Sequence, residues 1–401
     1  MSNNPNPVGV SEPADASLLG RTPPALDGCA YLNVGGYGVM APPVLEAYLA
    51  RLTRWEQQGA RMLPALLEEV EQARAALAAQ IGAQPAEIAF LRNSAEPLAM
   101  LLQDVGPDDE VIACGDDALE ILASVSLTCR RSGAQARWVE SDPDPDRFAA
   151  ALRAAASPRT KVAILCTVGA EHGIRLPVEV ARDALGPDVR LVLDAAQSFS
   201  VLPLDVAALR ADAVIGSIHK WLCGPKATSF TWLAPACGFE PPLLGLDTFP
   251  QPWPPRHEVL ANGAPAPRTE ARAVELGHQP FAGLASIPDA LAHHAALGWE
   301  AIEAHILRVA GEAHVALTAA GWDVITPADP QARAGIVAVT RPGLDARDAR
   351  AIAAALRADD VICRPCLGRH GDIGALRFSF GWFADGAELE RLLWALRRLG
   401  A

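Results

Sequence analysis

Short apolar runs alternate with Ala- and Leu-rich helical stretches between residues 87 and 217. The apolar runs are EIAFL (87–91), EVIAC (110–114), ARWVE (136–140), KVAILCTV (161–168), RLVLDA (190–195) and AVIGS (213–217). Strand candidates therefore recur roughly every 20–30 residues, with a helix candidate between most of them. This is the rhythm of β-α-β units, in which crossover helices cover a mostly parallel sheet. The pattern predicts an α/β fold.

The character of the chain changes after this region. Residues 235–282 are rich in Pro and Gly, which predicts a long ordered loop or an interface segment. Beyond them, helix candidates near 284–319, 345–358 and 386–399 are mixed with the strand candidates WDVIT, GIVAVT, DVICR and ALRFSF. We predict a mobile tail over residues 1–17, a large domain over 18–283 and a smaller α+β domain over 284–401. The N-terminal segment of the large domain should contact the small one.

Composition and charge restrict the classes of partner. Half of the 401 residues are hydrophobic, so the chain can bury a sizeable core. The 34 Lys and Arg against 47 Asp and Glu give 34 − 47 = −13, a charge that repels nucleic acid. No apolar run reaches the ~18 residues of a membrane span, and the N-terminus lacks the features of a signal peptide. We therefore expect a cytoplasmic protein that binds neither nucleic acid nor a membrane.

The eight cysteines are scattered along the chain, and only Cys363 and Cys366 form a CxxC pair. A single pair of this kind is a weak signal for zinc or redox chemistry. In a cytosolic chain of this size, most cysteines are small buried hydrophobic residues. We predict no metal site.

The strongest functional signal is the segment LVLDAAQSFSVLPLDVAALRADAVIGSIHKW. One apolar strand candidate ends at Asp194 and the next ends at Ser217, with Lys220 three residues further on. Ligands of open α/β sheets bind beyond the carboxyl ends of the strands, where these residues fall. Pyridoxal 5′-phosphate needs a lysine for covalent attachment and an acid that keeps its ring nitrogen protonated. The spacing therefore favours this cofactor over the alternative of a strand-end cap and a surface lysine.

The segment resembles the class V aminotransferase group of fold-type I pyridoxal-phosphate enzymes, which includes cysteine desulfurases and isopenicillin N epimerase-like proteins. The family pattern, Asp-x-x-Gln followed by Ser-x-His-Lys, reads here as Asp194 to Gln197 and Ser217 to Lys220. The resemblance implies that Lys220 is the Schiff-base lysine and that Asp194 pairs with the ring nitrogen. It also implies that Gln197 binds the phenolate oxygen of the ring, and that Ser217 and His219 contact the phosphate.

Three further segments extend the resemblance to about residues 30–400. In the segment at 31–47, Asn33 falls where the family borders the substrate. At the start of a predicted helix, where free backbone N–H groups suit an anion, the resemblance places Ser94, Ala95 and Glu96 in a phosphate cup. Near the C-terminus it makes Arg377 the residue that grips the substrate carboxylate, for which a planar guanidinium is well suited.

The chain departs from the family pattern at several of these positions. Ala95 replaces the usual Thr of the phosphate cup, and Asp116 or Asp117 falls where relatives stack a His on the ring. His278 stands where relatives have a Thr that reaches the phosphate of the partner subunit. A phosphate donor and a satisfied interface histidine are both open readings of His278. The resemblance implies a homodimer with sites at the subunit interface.

The resemblance also bears on which reaction the protein catalyses. Glu171 and His172 follow the strand candidate 161–168, where they could act as general acid or base, bind the substrate or form a solvated loop pair. Neither Cys363 nor Cys366 has the offset of a desulfurase cysteine, which disfavours persulfide chemistry. We predict a pyridoxal-phosphate enzyme that cleaves the C–S bond of a cysteine-type amino acid in specialised metabolism. Epimerase, aminotransferase, decarboxylating oxidative deaminase, cysteine desulfurase and non-catalytic binding protein are the alternatives.

Overall fold

A computed structural model describes most of the chain. The described residues are 26–238, 241, 245, 248–249, 255–263, 266–367 and 373–400. The tail predicted over residues 1–17 lies outside them, as does part of the Pro-rich stretch 235–282. Among the described residues, no helix is long and apolar enough to cross a membrane.

Thirteen strands are present in the described part of the chain. In chain order they are β1 (Ala30–Tyr31), β2 (Ile88–Leu91), β3 (Glu110–Cys114), β4 (Gln135–Val139), β5 (Thr160–Cys166), β6 (Arg190–Asp194), β7 (Ala213–Ser217), β8 (Ser229–Leu233), β9 (Asp323–Val324), β10 (Ile336–Thr340), β11 (Val361–Ile362), β12 (Arg364–Leu367) and β13 (Gly374–Ser379).

Twelve α-helices accompany these strands over the same described ranges. They are α1 (Pro42–Gln58), α2 (Leu63–Gln80), α3 (Ala95–Leu101), α4 (Leu119–Ser132), α5 (Pro145–Ala155), α6 (Ala181–Leu185), α7 (Arg256–Asn262), α8 (Phe281–Leu284), α9 (Ile287–Leu297), α10 (Trp299–Ala319), α11 (Ala346–Ala358) and α12 (Gly386–Arg398).

The large sheet has seven strands in the order β2-β8-β7-β6-β5-β3-β4. The neighbours from β7 to β4 pair in parallel, and β8 pairs antiparallel with both β7 and β2. Its central strands are buried along almost their whole length, as expected when helices cover both faces of a sheet. This arrangement confirms the predicted α/β class with a mostly parallel sheet.

A second, four-stranded sheet of order β12-β13-β10-β9 is antiparallel throughout. Helices α10, α11 and α12 contribute to the apolar core beside it. The short β1 pairs in parallel with β11, so the N-terminal segment lies against this C-terminal unit. The proposed boundary between residues 283 and 284 stays a prediction.

The predicted strand DVICR is divided in the structure. Residues Val361–Ile362 pair with β1, whereas Arg364–Leu367 pair with β13 in the other sheet. The chain changes sheets at Cys363, which belongs to neither strand. The sequence of this run cannot reveal such a change, because the two halves differ only in the strand with which each one pairs.

Candidate active site

Two parallel neighbours of the large sheet bring Asp194 and Lys220 to one edge. Asp194 is the last residue of β6, and Lys220 follows the end of β7 by three residues. Both side chains are buried, with relative exposures of 4% and 8%. The sequence-predicted pair therefore lies at the carboxyl edge of the sheet, away from bulk water.

Burial controls the charge of this pair. It lowers the pKa of the Lys220 amine, although the carboxylate of Asp194 partly opposes the shift. Burial likewise raises the pKa of Asp194, which Lys220 and the backbone N–H of Ala196 partly oppose. That N–H donates to Asp194 Oδ1 over 2.7 Å and fixes the carboxyl. A buried lysine with a depressed pKa is the form of lysine that acts as a nucleophile or base.

Gln197 is held at both ends of its amide. Its Oε1 accepts a hydrogen bond from Trp221 Nε1 over 3.0 Å, and its Nε2 donates to the carbonyl of Gly35 over 3.0 Å. A Cβ at Gly35 would lie 2.9 Å from Gln197 Oε1 and from Ser379 Oγ, so the close approach requires glycine. The sequence reasoning missed Trp221, whose position directly after Lys220 was the available signal.

The two acids that follow β3 have different partners. Asp116 Oδ1 lies 2.6 Å from His172 Nδ1 and accepts from the His172 backbone N–H over 3.1 Å. Asp117 Oδ1 accepts from the backbone N–H of Ala118 over 2.7 Å. The charges that act on Asp117 include those of Asp194 and Lys220. Asp117 therefore feels the charges of the central pair, whereas Asp116 is joined to His172.

His172 is oriented for a positive charge. Its Nε2 lies 2.9 Å from the carbonyl oxygen of Leu367, which can only accept, so this nitrogen carries a proton. Its Nδ1 faces the carboxyl of Asp116. Burial would lower the pKa of His172, but these two partners raise it more, so the net pKa lies above the ordinary value. The predicted neighbour Glu171 forms a 3.2 Å ion pair with Arg364.

Arg377 enters the site from the second sheet. It is fully buried in β13, where Nη1 donates to the carbonyl of Ala170 over 2.5 Å and Nη2 to Asn33 Oδ1 over 3.5 Å. Its Nε has no hydrogen-bond partner among the described residues. Burial and the charge of Arg364, its directly opposed neighbour in β12, lower the pKa of Arg377 to about 10. The structure thus brings together two of the four predicted substrate residues, Asn33 and Arg377.

The predicted phosphate residues lie near the same edge. Ser94 is buried and directly precedes α3, which begins at Ala95, as the sequence indicated. Glu96, however, turns back to form a 2.6 Å ion pair with Arg92. Ser217 is the buried last residue of β7. Their contacts with a phosphate stay predictions.

The two histidines predicted to meet a phosphate differ in environment. His219 Nδ1 lies 2.9 Å from the carbonyl of Thr228, and burial lowers the pKa of the ring. Because the carbonyl must accept, the neutral ring carries its proton on Nδ1. His278 is exposed and has a φ of 50°, in the left-handed region. Its proposed contact with a partner subunit stays a prediction.

All eight cysteines are unpaired, and Cys363 and Cys366 are buried. Burial raises the pKa of Cys363 to about 12 and that of Cys366 still further. Neither is therefore a thiolate at neutral pH. No group of three or more His, Cys, Asp or Glu side chains that could hold a metal ion occurs in the described part of the chain.

A cavity of about 450 Å³ adjoins the site between the two sheets. It lies among residues that follow β3 and β5 on one side and residues of α11 and β12 on the other. Its lining comprises Gly115, Asp117, Leu119, Leu122, Glu171, His172, Ala346, Arg350, Arg364, Pro365, Cys366 and Leu367. A cavity of this size holds a ligand larger than a simple amino acid.

Comparison with known proteins identifies the family. The sequence model for the family described as "Aminotransferase class-V" matches residues 31–392. The chain belongs to this family. Isopenicillin N epimerase of Amycolatopsis lactamdurans is 28% identical over 389 residues, which cover 92% of this chain and 94% of that protein. A probable cysteine desulfurase of Vibrio cholerae is 24% identical over 348 residues, 82% of each chain.

Solved structures share the fold of this class V aminotransferase. A complex of the cystine C–S lyase C-DES with its reaction product cysteine persulfide gives a TM-score of 0.82 at 23% identity, covering 94% of this chain and 99% of that one. The apo cysteine desulfurase from Thermococcus onnurineus gives 0.80 at 21% identity, covering 94% and 96%. These likenesses confirm the predicted pyridoxal-phosphate fold type I.

Class V aminotransferases are pyridoxal-phosphate-dependent enzymes, and family membership makes this chain one of them. The residues present fit the cofactor. Lys220 is a buried amine of depressed pKa, and Asp194 is a buried acid beside it. The unpartnered Nε of Arg377 and Oδ2 of Asp117 are further buried polar atoms that the described residues leave unsatisfied.

Proposed function

We propose that this enzyme cleaves the C–S bond of a cysteine-type amino acid, with Lys220 as the base that removes the Cα proton. The observation that carries the proposal is the buried Lys220 amine beside Asp194, at an edge where Arg377 projects from the second sheet. The assignment of specialised metabolism rests on the resemblance to the epimerase-like branch alone.

Each residue of the site has a defined task in this proposal. Lys220 holds the cofactor covalently and, once displaced, accepts a proton at Nζ. Pyridoxal 5′-phosphate, when bound, supplies the electron sink that makes bonds at Cα breakable. Asp194 holds the ring nitrogen protonated, and Gln197 offers amide N–H groups. Arg377 binds the substrate carboxylate and thereby fixes which Cα bond faces Lys220.

The neutral, buried thiols of Cys363 and Cys366 favour a lyase over a desulfurase. A desulfurase needs a cysteine thiolate that attacks the sulfur of the substrate, and burial keeps both of these cysteines protonated. Direct C–S cleavage needs no cysteine nucleophile.

Epimerisation is the second candidate. It is favoured by the likeness to isopenicillin N epimerase over nearly the whole chain, and by a buried acid, Asp117, beside Lys220 and Asp194. Transamination and decarboxylating oxidative deamination use the same base and cofactor, but no contact of the described residues favours them. We also propose a cytoplasmic homodimer, for which analytical ultracentrifugation of the purified protein is the test of assembly.

The deciding experiment uses the enzyme loaded with cofactor and a panel of S-substituted L-cysteines. We expect equal amounts of pyruvate and free thiol, together with ammonia. A D-isomer without thiol release would favour epimerisation instead. Borohydride reduction followed by peptide mass spectrometry should place the cofactor adduct on Lys220. In K226A, which changes the exposed Lys226 six residues further on, the adduct should remain. An adduct on another residue would overturn the proposal.

A further inference from the structure

Asp117 carries a buried carboxyl oxygen without a partner. The residue is 2% exposed, and its Oδ1 accepts from the backbone N–H of Ala118 over 2.7 Å. Its Oδ2 has no hydrogen-bond partner among the described residues. A buried polar atom without a hydrogen-bond partner is unfavourable, so such an atom at an active site calls for a ligand.

The sheet places Asp117 and Lys220 on opposite sides of Asp194. In the strand order, β7 lies directly on one side of β6, whereas β5 and then β3 lie on the other. Lys220 follows β7, and Asp117 follows β3. A substrate that binds above Asp194 is therefore approached by an amine from one side and by a carboxyl from the other.

The electrostatic environment of this region favours the protonated form of Asp117. Burial first, and then the negative charge of Asp194, raises the pKa of its carboxyl well above the usual range. Its neighbour Asp116 instead faces the imidazole of His172 at 2.6 Å. Of the two adjacent acids, Asp117 is the one without a histidine partner, and its surroundings favour the protonated form.

Asp117 also lines the 450 Å³ cavity between the two sheets. The walls of this cavity include the apolar side chains of Leu119, Leu122 and Leu367, and Arg364 stands on the far side. Arg364 is the directly opposed neighbour of Arg377 in the small sheet. The cavity is therefore lined both by Asp117 and by the strand neighbour of Arg377.

We propose that Asp117 is the general acid that protonates the departing sulfur, and that this cavity receives the group attached to that sulfur. The inference rests on the proposed C–S cleavage. It assigns the substrate class as S-substituted cysteines whose substituent is larger than a hydrogen and largely apolar, because the walls are partly leucine.

Lys220 and Asp117 together account for every proton and electron pair that moves in this reaction. Lys220 Nζ takes the Cα proton, the electron pair of that bond forms the Cα–Cβ double bond, and the Cβ–S bond breaks with its pair on sulfur. The proton of Asp117 Oδ2 moves to that sulfur, and the thiol leaves. Water hydrolyses the unsaturated product to pyruvate and ammonia. Proton exchange with solvent returns the Lys220 proton and restores the acid form of Asp117.

The dependence on the leaving group tests the role of Asp117. S-alkyl cysteines release a basic thiolate that needs a proton donor, whereas S-(4-nitrophenyl)cysteine releases a stable thiolate that does not. In D117N we expect kcat/KM to fall by about 10²-fold or more for S-benzylcysteine, and by less than about threefold for the nitrophenyl substrate. D117E, which keeps a proton donor, should recover part of the S-benzylcysteine activity. D116N is the matched control, and it should leave the ratio of the two substrates unchanged.

Two outcomes would overturn the inference while leaving C–S cleavage intact. The first is that D117N lowers kcat/KM equally for both substrates. The second is that D116N changes the ratio of the two kcat/KM values as much as D117N does. Absence of thiol and pyruvate from every substrate would overturn the proposed function and the inference together.

A second measurement needs no turnover. The infrared difference spectrum of cofactor-free wild type minus cofactor-free D117N, at neutral pH, should contain the C=O stretch of a protonated carboxyl. Bands of a carboxylate alone in that spectrum would contradict an acid form of Asp117. Circular dichroism of both proteins checks that the variant is folded.

Discussion

The indole N–H of Trp221 donates to Oε1 of Gln197 over 3.0 Å and thereby sets the orientation of this amide. An indole nitrogen can only donate, so Oε1 must face Trp221 and the NH₂ group must point away from it. One of those N–H groups reaches the carbonyl of Gly35 over 3.0 Å. The second N–H group remains available to a ring oxygen of the cofactor. Trp221 is thus a positioning residue for Gln197.

W221F should weaken cofactor binding more than it weakens the fold. The variant keeps most of the aromatic volume but leaves Oε1 of Gln197 buried without its donor, at a cost of about 1–3 kcal/mol. We expect the dissociation constant of pyridoxal phosphate to rise about 5- to 100-fold, measured by fluorescence titration of apoenzyme. W138F changes a half-exposed tryptophan of β4 and is the control. Equal affinity of W221F and W138F for the cofactor would contradict this role.

The ion pair between Asp116 and His172 gives stability a defined pH dependence. The pKa of His172 is raised in the folded protein, so its stabilising contribution is complete below the unfolded pKa of about 6.5. That contribution is lost as the pH rises through the folded pKa. The free energy of unfolding of wild type should therefore exceed that of D116N most at about pH 5–6, and the difference should shrink toward alkaline pH. Urea unfolding at a series of pH values measures this difference between wild type and D116N. If the difference grew with pH, the ion pair would be disproved.

The parts of the site that lie on one stretch of chain could be predicted from the sequence. Asp194 and Lys220 lie at the ends of β6 and β7, which are consecutive strands of the chain and parallel neighbours in the sheet. The pairing of His172 with Asp116 spans 56 residues, and its contact with Leu367 spans 195. The first contact depends on the pairing of β3 with β5, and the second on how the small sheet packs against the large one, and no local periodicity encodes either.

The same limit explains why the sequence could not show which of Asp116 and Asp117 pairs with His172. Two adjacent acids after a strand are equivalent in the sequence, and only the tertiary fold gives one of them a histidine partner. The division of 360–364 between two sheets has the same cause, since both halves read as one apolar run. Neither feature could be predicted from residue patterns.

Glu388 should destabilise the folded protein as the pH rises. Burial holds the pKa of this carboxyl at about 8, above its ordinary value of 4.5, so the folded state retains a proton that the unfolded state releases. The associated stability is present below about pH 4.5 and is lost as the pH rises through about 8. E388Q keeps an oxygen that can accept from the backbone N–H of Asp385 and carries no charge. We expect the free energy of unfolding of E388Q relative to wild type to rise between these pH values. E390Q, at an exposed position of the same helix, should show no such trend in parallel urea titrations.

Arg377 should determine substrate affinity through the geometry of its guanidinium. Its unpartnered Nε and its long 3.5 Å contact with Asn33 leave donors for a carboxylate, which a guanidinium binds through two parallel hydrogen bonds. In R377K the ammonium lacks the planar pair of parallel donors, and burial at this fully enclosed position favours its neutral form. We expect KM for the preferred S-substituted cysteine to rise about 10- to 100-fold, with a smaller change in kcat. R364K alters the neighbouring arginine, which is already paired with Glu171, and should raise KM by a smaller factor. Steady-state kinetics of both variants measure these changes. A KM for R377K within about twofold of the wild-type value would show that Arg377 does not bind the substrate carboxylate.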